Sequence, residues 1–475
     1  MNFILATTIN LHIYNTLNSM RHIIFVLLAY VSIGVYCQNG MTFFQKDDRV
    51  CFVGNSITNQ GEFHHNILLY HITRFPNTPL LFFNCGISGN RTENVLTRME
   101  DDILSNKPNK AVIMIGMNDV SRSLYSAKPT INADTLRLRE DAISLYKTNL
   151  EKKVSIFLER KIKVILQKPS IYDQTAVLST SNGLGVNDAL KRCADFMDEL
   201  ADKYSLQTVD YWTIMTNLNQ QIQKIDPLAT LTSKDRVHPG PTGHFVMAYQ
   251  FLKTENAPQY VSKLCIEKDV KLSNKNSSNC KFENVKWQKD NVEFSVKEFA
   301  LPYPIVDSQL EATSLVSFVD DLNVELLKVN GLENGSYSLM IDNENVGNFS
   351  KTELQKGINL ATIQKTPQYL QALKVRAVLL DLWKQESKLR GLKFIEYNYH
   401  YRTAPNKSNV DSLKSYLSQK FEAQYKGNSY FKLQLNSYFE NKPGEKEYTT
   451  QSDLLRTKAY EVAQPIAHRF KLVRN

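Results

Sequence analysis

The chain has 475 residues, with 57 basic and 48 acidic side chains and a formal charge of +9. Apolar residues make up 42% and charged residues 22%, which excludes a collagen-like, disordered or multi-span membrane protein. The length predicts two or three domains, and the basic residues are spread along the whole chain, so no nucleic-acid partner is indicated.

The first 37 residues are typical of a secretory signal peptide. An apolar run over 23–35 follows the basic segment 20–22, and it is too short to span a bilayer comfortably. Cleavage after Cys37 is expected, with Met20 as a candidate true start because residues 1–19 carry no charge. Lipidation of Cys37 and a retained anchor helix are the competing interpretations. Cleavage predicts a secreted or extracytoplasmic protein, periplasmic or on the cell surface, without a membrane span once the signal is removed.

Residues 38–262 alternate short apolar strands with helices. Strands are predicted over 49–53, 80–84, 110–115, 163–167 and 207–210, and the main helices over about 62–75, 92–105, 134–160 and 186–204. Strands this apolar, separated by helices, predict an α/β fold with a doubly wound, flavodoxin-like parallel sheet. Ligands bind such a sheet at the carboxyl ends of its strands.

The pattern changes in the rest of the chain. Residues 263–349 form a smaller β-rich segment, in which Asn-Gly pairs at 330–331 and 334–335 predict a hairpin. Residues 350–475 form a mainly helical C-terminal extension. A capping box over Ser350–Glu353 opens it, and a long amphipathic helix follows over 367–390. Because no low-complexity linker is present, the extension is expected to pack on the first domain.

The cysteines and histidines do not predict a metal site. None of the six cysteines forms a CxxC pair, and no residue requires a cofactor. Cys265 and Cys280 flank a polar loop and are equally consistent with a disulfide and with two free thiols.

Four turns carry the candidate catalytic residues. Three of them follow successive predicted strands and hold Ser56, Gly89 and Asn118, and the fourth is the segment Asp235–Gly240. Each feature alone is weak, since a helix cap, a turn glycine or a surface histidine would explain it. Their order and their place after strands predict that they meet at one sheet edge.

This set of residues suits nucleophilic attack on an ester. A serine hydroxyl needs an adjacent imidazole to take its proton, and His238 is the candidate base. Asp235, three residues earlier, can hold the imidazole and stabilise its protonated form. The candidate oxyanion hole consists of the N–H groups of Ser56 and Gly89 with the Asn118 side-chain amide.

The same blocks resemble the SGNH, or GDSL-type, hydrolases. The matching residues are GNSIT (54–58), GISGNRT (86–92), GMNDV (116–120) and DRVHPG (235–240). The resemblance implies that Ser56 is the nucleophile, that Gly89 and Asn118 complete the oxyanion hole, and that Asp235 and His238 supply acid and base. It covers about residues 48–255.

The chain departs from the family pattern at one position. Asn55 stands where the family usually has aspartate before the nucleophile, and its amide can still hydrogen-bond across the turn. The candidate substrate contacts are Asn55, Arg91 and His64. For Arg91 the alternative is a solvated surface residue, and His64 is proposed to line the mouth of the site with neighbouring residues.

The resemblance implies a serine esterase acting on a small-molecule or polysaccharide ester. A secreted serine esterase with a long extension is similar to the carbohydrate esterases, and this resemblance implies removal of O-acetyl groups from a carbohydrate. The alternatives are a lysophospholipase or thioesterase of the same family, or a non-catalytic glycan-binding protein on a hydrolase scaffold. The sequence does not predict the oligomeric state.

Overall fold

The computed structural model describes residues 43–127 and 132–475 of the chain. The predicted signal peptide, including Met20 and Cys37, therefore lies outside the described residues. Within the described ranges, no helix is both long enough and apolar enough to cross a membrane.

A five-stranded parallel sheet forms the centre of the first part of the chain. Its strands are β1 (Arg49–Gly54), β2 (Leu81–Gly86), β3 (Lys110–Met114), β4 (Lys163–Lys168) and β5 (Gln207–Asp210). Their spatial order is β2-β1-β3-β4-β5, with parallel pairing throughout. The chain leaves β1 first towards β2 and then returns past it to β3, so the ends of these three strands lie side by side. This order confirms the predicted flavodoxin-like sheet.

Helices connect and cover these strands. They are α1 (Ser56–Gln60), α2 (Glu62–Arg74), α3 (Thr92–Thr97), α4 (Ala133–Glu159), α5 (Val186–Tyr204), α6 (Tyr211–Gln223) and α7 (Pro241–Thr254). Helix α2 packs against α7, and α4 packs against α5. The predicted helix over 92–105 is shorter than expected. A π-helical turn, Met99–Ile103, and a 3-10 turn, Leu104–Asn106, follow α3. At this change of helix type Arg98 bonds to the Cys85 carbonyl, and Asp102 bonds to Arg98 and Arg390.

Two smaller sheets follow. Their strands are β6 (Tyr260–Ile266), β7 (Cys280–Trp287), β8 (Asn291–Glu298), β9 (Val324–Val329), β10 (Ser336–Ile341), β11 (Glu344–Ser350), β12 (Ile358–Asn359) and β13 (Ala467–Arg474). The orders are β11-β10-β13-β8-β7, which is antiparallel, and β12-β9-β6. Strand β13 comes from the end of the chain, where Phe470 stacks on Phe294 with ring centres 5.3 Å apart. The helices among these strands are α8 (Val270–Asn276), α9 (Leu310–Leu315), α10 (Phe318–Leu322) and α11 (Lys351–Lys356).

The hairpin predicted at the Asn-Gly pairs is wrong. Strands β9 and β10, on either side of those pairs, belong to different sheets. The tight hairpin instead joins β10 to β11 through Asp342 and Asn343, whose φ angles are 49° and 74°. Both residue types tolerate this left-handed backbone, which a two-residue hairpin turn requires.

The C-terminal helices are α12 (Pro367–Tyr397), α13 (Val410–Gln424), α14 (Ser429–Asn441) and α15 (Glu445–Val462). The capping box at Ser350 and Glu353 is confirmed. Helix α12 packs against the first part of the chain, where Trp383 stacks on His65 of α2 with ring centres 4.0 Å apart. The extension and the α/β part therefore share a buried interface.

The five cysteines among the described residues are free thiols. Cys280 Sγ donates to the carbonyl of Lys263 at 3.3 Å, and Cys265 is buried nearby. Of the two alternatives for Cys265 and Cys280, the structure shows two free thiols and no disulfide.

Candidate active site

Three turns meet at the carboxyl edge of the parallel sheet. Ser56 follows β1, Gly89 lies in the turn after β2, and Asn118 lies in the turn after β3. Because β1 pairs with both β2 and β3, the three turns are neighbours in space. The loop before α7 brings Asp235 and His238 to the same edge.

Ser56, His238 and Asp235 form a continuous hydrogen-bonded chain. His238 Nε2 lies 2.7 Å from Ser56 Oγ, and His238 Nδ1 lies 2.5 Å from Asp235 Oδ2. An ionised carboxylate can only accept, so the Nδ1 proton is donated to Asp235. Nε2 then carries the free lone pair and accepts the Ser56 hydroxyl proton.

Asp235 is held ionised by the turn that contains it. Its Oδ1 accepts from the backbone N–H groups of Val237 and His238 at 2.9 and 3.0 Å and from the Ser233 hydroxyl at 2.7 Å. Partial burial alone would raise the pKa of Asp235, but the His238 bond and these further donors bring that pKa well below its usual range. The carboxylate thus keeps its charge across the whole neutral and mildly acidic range.

Arg236, which sequence reasoning missed, anchors this turn. Its φ is 67° and its side chain is buried. The guanidinium donates to four backbone carbonyls of the loop after β4: Asp173, Ala176, Leu178 and Thr180. One arginine therefore ties the segment that carries Asp235 and His238 to the rest of the sheet edge. The DRVHPG motif contained this residue but no sign of its partners.

The three predicted oxyanion donors occupy adjacent positions. Ser56 is the first residue of α1, so its N–H has no partner within the helix, and the Gly89 N–H has no acceptor among the described residues. Asn118 Nδ2 donates to the Asn90 carbonyl at 3.1 Å, which sets the orientation of its amide. The second Nδ2 hydrogen remains for a ligand. These three N–H groups therefore have no acceptor among the described residues, as the predicted oxyanion hole requires.

Gly89 meets a conformational need of the backbone. Its φ is 81°, in the left-handed region that favours glycine, and a Cβ at this position would contact no protein atom within 4 Å. The positive φ, and not a lack of space, is therefore what favours glycine here.

The three predicted substrate contacts have different surroundings. Asn55 is buried, and its side chain accepts from the Ile57 N–H at 3.1 Å, so it caps α1 and stabilises the nucleophile turn. Arg91 is half-buried beside a cavity of about 320 Å³ that Asp119 and Leu124 also line. Burial raises the pKa of Asp119, and the nearby charge of Arg91 opposes that rise.

His64 was expected at the mouth of the site, but it lies in the core. It is 2% exposed, stacks on Phe52, and its Nε2 bonds to the Thr58 carbonyl at 3.1 Å. Burial lowers its pKa to about 4, so the ring is neutral at physiological pH. His64 is a core residue of α2, because α2 is covered on both sides.

A buried lysine lies near Asp119, the residue that follows Asn118. Lys153 of α4 is fully buried with no acceptor for its Nζ among the described residues. Asp119, next to Asn118, accepts from the N–H and hydroxyl of Thr92, both at 2.7 Å. Burial lowers the pKa of Lys153 to about 7 even though the Asp119 charge raises it.

Lys153 makes the stability of the protein depend on pH above neutrality. Between its folded pKa of about 7 and its ordinary value of 10.5, the unfolded chain holds a proton that the folded chain lacks. Stability therefore rises with pH in this window, by up to about 1.4 kcal/mol per pH unit. We expect urea unfolding at pH 7 and pH 9 to show this rise in the wild type and to show a smaller rise in Lys153→Met. Lys152→Met, at an exposed neighbouring position, should match the wild type, whereas equal pH slopes for Lys153→Met and wild type would contradict the prediction.

Known proteins resemble this chain over its α/β part and over its C-terminal regions. The family model GDSL-like Lipase/Acylhydrolase matches residues 50–251. An acetylxylan esterase of Geobacillus stearothermophilus is 27% identical over 184 residues, which are 38% of this chain and 74% of that protein. A gut microbial diltiazem-metabolizing enzyme of known structure is 30% identical with a TM-score of 0.81, over 91% of this chain and 98% of that one. The last match extends beyond residue 251 and so includes the C-terminal regions.

Proposed function

This chain belongs to the GDSL-type, or SGNH, family of lipases and acylhydrolases, and we propose that it hydrolyses esters with Ser56 as nucleophile, His238 as general base and Asp235 as the supporting acid. The hydrogen-bonded chain Ser56–His238–Asp235 carries this proposal. The match to a family of lipases and acylhydrolases supports a general ester hydrolase role, and these residue assignments start from that role.

The reaction follows from the positions of the protons. His238 Nε2 removes the Ser56 hydroxyl proton as Oγ attacks the ester carbonyl, and the carbonyl oxygen becomes an oxyanion beside the donors of Ser56, Gly89 and Asn118. The protonated imidazole, stabilised by Asp235, then gives its proton to the leaving alcohol. Water, deprotonated by His238, attacks the acyl-Ser56 ester in the second half. The carboxylic acid leaves and Ser56 regains its proton.

Covalent labelling tests the nucleophile directly. Diethyl 4-nitrophenyl phosphate should phosphorylate the protein with one equivalent of 4-nitrophenolate released, and peptide mass spectrometry should locate the adduct on Ser56. Hydrolysis of 4-nitrophenyl acetate should stop in parallel with labelling. A labelled residue other than Ser56, or continued turnover by the fully labelled protein, would refute the assignment.

We propose an O-acetyl group on a carbohydrate as the scissile ester. The similar acetylxylan esterase supports an acetylated glycan. Acetate release should be measured on acetylated xylan, pectin, chitin and sialic-acid substrates. A 4-nitrophenyl ester series from acetate to decanoate should show kcat/KM falling as the acyl chain lengthens. A maximum at long acyl chains would instead favour a lysophospholipase or thioesterase.

We further propose that the protein is exported, with the signal pattern of residues 20–37 as the support. N-terminal sequencing of the mature protein from the native host should begin at Gln38. Recovery in the cytoplasmic fraction with the leader intact would overturn this proposal.

A further inference from the structure

We propose that Arg390, on helix α12 of the C-terminal extension, is a positioning residue for the oxyanion-hole turns of the ester hydrolase site. This inference rests on the proposed function of the Ser56 site. It makes the extension part of the active centre, because a residue outside the family-matched segment holds the turns on which the donors lie.

Asp102 joins the extension to the sheet edge. Arg390 grips its carboxylate with two parallel bonds, Nη1 to Oδ1 at 2.7 Å and Nη2 to Oδ2 at 3.0 Å. Arg390 Nε donates to the carbonyl of Gly86 at 3.1 Å, at the start of the turn that leads to Gly89. Arg98 Nη1 bonds to Oδ2 of the same carboxylate.

Arg98 continues the network to the turns after β1 and β2, and through Asn90 to the turn after β3. Its Nη2 donates to the carbonyl of Gly54 at 3.2 Å and to the carbonyl of Cys85 at 2.8 Å. Gly54 lies two residues before Ser56. Its Nε donates to Asn90 Oδ1 at 2.8 Å. Asn90 follows Gly89, and its carbonyl accepts from Asn118. The two arginines thus bond directly to backbone carbonyls before Ser56 and before Gly89, and they reach Asn118 through Asn90.

Burial makes this network sensitive to the loss of either arginine. The side chains of Asp102 and Arg390 are 2% and 8% exposed. Burial alone would raise the pKa of Asp102, but the charges of Arg390 and Arg98 hold it far below its usual range, so it stays ionised. Without Arg390, Arg98 is the one counter-ion left to this carboxylate in the described part of the chain, and its bonds to Gly54, Cys85 and Asn90 compete with that role.

Arg390 could act only by holding the extension in place, and a second arginine of the extension distinguishes that role from positioning of the turns. Arg456 of α15 bonds to Glu386 of α12 at 2.6 Å, and its side chain is 11% exposed. Arg456 therefore supports the same helix at similar burial, but its hydrogen bonds go to Glu386 and Asp453, not to the active-site turns. Loss of Arg456 should loosen the extension while leaving the turns in place.

The experiment compares Arg390→Met, Arg390→Lys and Arg456→Met with the wild type. kcat and KM for 4-nitrophenyl acetate are expressed per active site titrated with diethyl 4-nitrophenyl phosphate, and thermal midpoints are recorded alongside. We expect Arg390→Met to lower kcat by roughly 10- to 100-fold with KM within about twofold, since small displacements of donors act on the transition state. Arg390→Lys keeps one ion pair and should lose about 3- to 10-fold. Arg456→Met should lower the thermal midpoint but keep kcat within about twofold.

Other results overturn the inference. A kcat for Arg390→Met within about twofold of the wild type would do so, and if that variant does not fold, the same limit applies to Arg390→Lys. An equal loss of kcat in Arg456→Met would show that docking alone matters. These outcomes presuppose an active wild type. A wild type that neither turns over 4-nitrophenyl acetate nor releases 4-nitrophenolate on titration would refute the proposed function itself, together with this inference.

Discussion

Replacing Ser56 by alanine is expected to lower kcat/KM for 4-nitrophenyl acetate by about three orders of magnitude or more. The variant keeps the donors and the imidazole but has no oxygen 2.7 Å from His238 Nε2 to attack the carbonyl. The residual rate would come from water activated by His238 or from binding alone. Initial rates at several substrate concentrations, with a thermal melt to show that folding is intact, give the comparison.

Non-additivity provides a sharper form of this test. If Ser56 and His238 act as one unit, the double variant Ser56→Ala/His238→Ala should be no slower than Ser56→Ala. Ser170→Ala is a matched serine control, because Ser170 follows β4 and its buried hydroxyl has no partner among the described residues. We expect Ser170→Ala to retain wild-type kinetics. Multiplicative losses in the double variant would mean that the two side chains act separately.

The sheet was predictable because its strands carry their own signal. A strand of a covered parallel sheet is a continuous apolar run, and Val50–Val53 are completely buried as their composition predicts. The turns after such strands were recognisable for the same reason, so Ser56, Gly89 and Asn118 could be placed at one edge. Strand β13 was not predicted, since the 31-residue helix α12 and three more helices separate it from the strands it joins.

The parts of the site that depend on distant partners were not predictable. Asp102 and Arg390 are 288 positions apart, and neither has a local pattern that names the other. His64 illustrates the same limit from the other side. Nearly every residue of α2 is buried, because α12 covers the face that would otherwise be open, so helical spacing could not tell which residues face a substrate.

Replacing Asn118 by alanine is expected to lower kcat by about 10²- to 10³-fold with little change in KM. The side-chain amide is the one candidate oxyanion donor that substitution can remove without altering a backbone N–H. Its loss should affect the transition state, in which the carbonyl oxygen carries negative charge, far more than the bound ester. Steady-state kinetics on 4-nitrophenyl acetate separate the two constants.

Asn118→Ala also removes the bond to the Asn90 carbonyl, so its stability must be measured with its kinetics. Asn118→Asp is the decisive companion, because it keeps the shape of the side chain but replaces the donor by an acceptor that repels the oxyanion. We expect Asn118→Asp to be at least as slow as Asn118→Ala even where its thermal midpoint is closer to the wild type. If both variants retain kcat within about threefold of the wild type, the amide of Asn118 does not stabilise the oxyanion, and the Ser56 and Gly89 N–H groups must suffice.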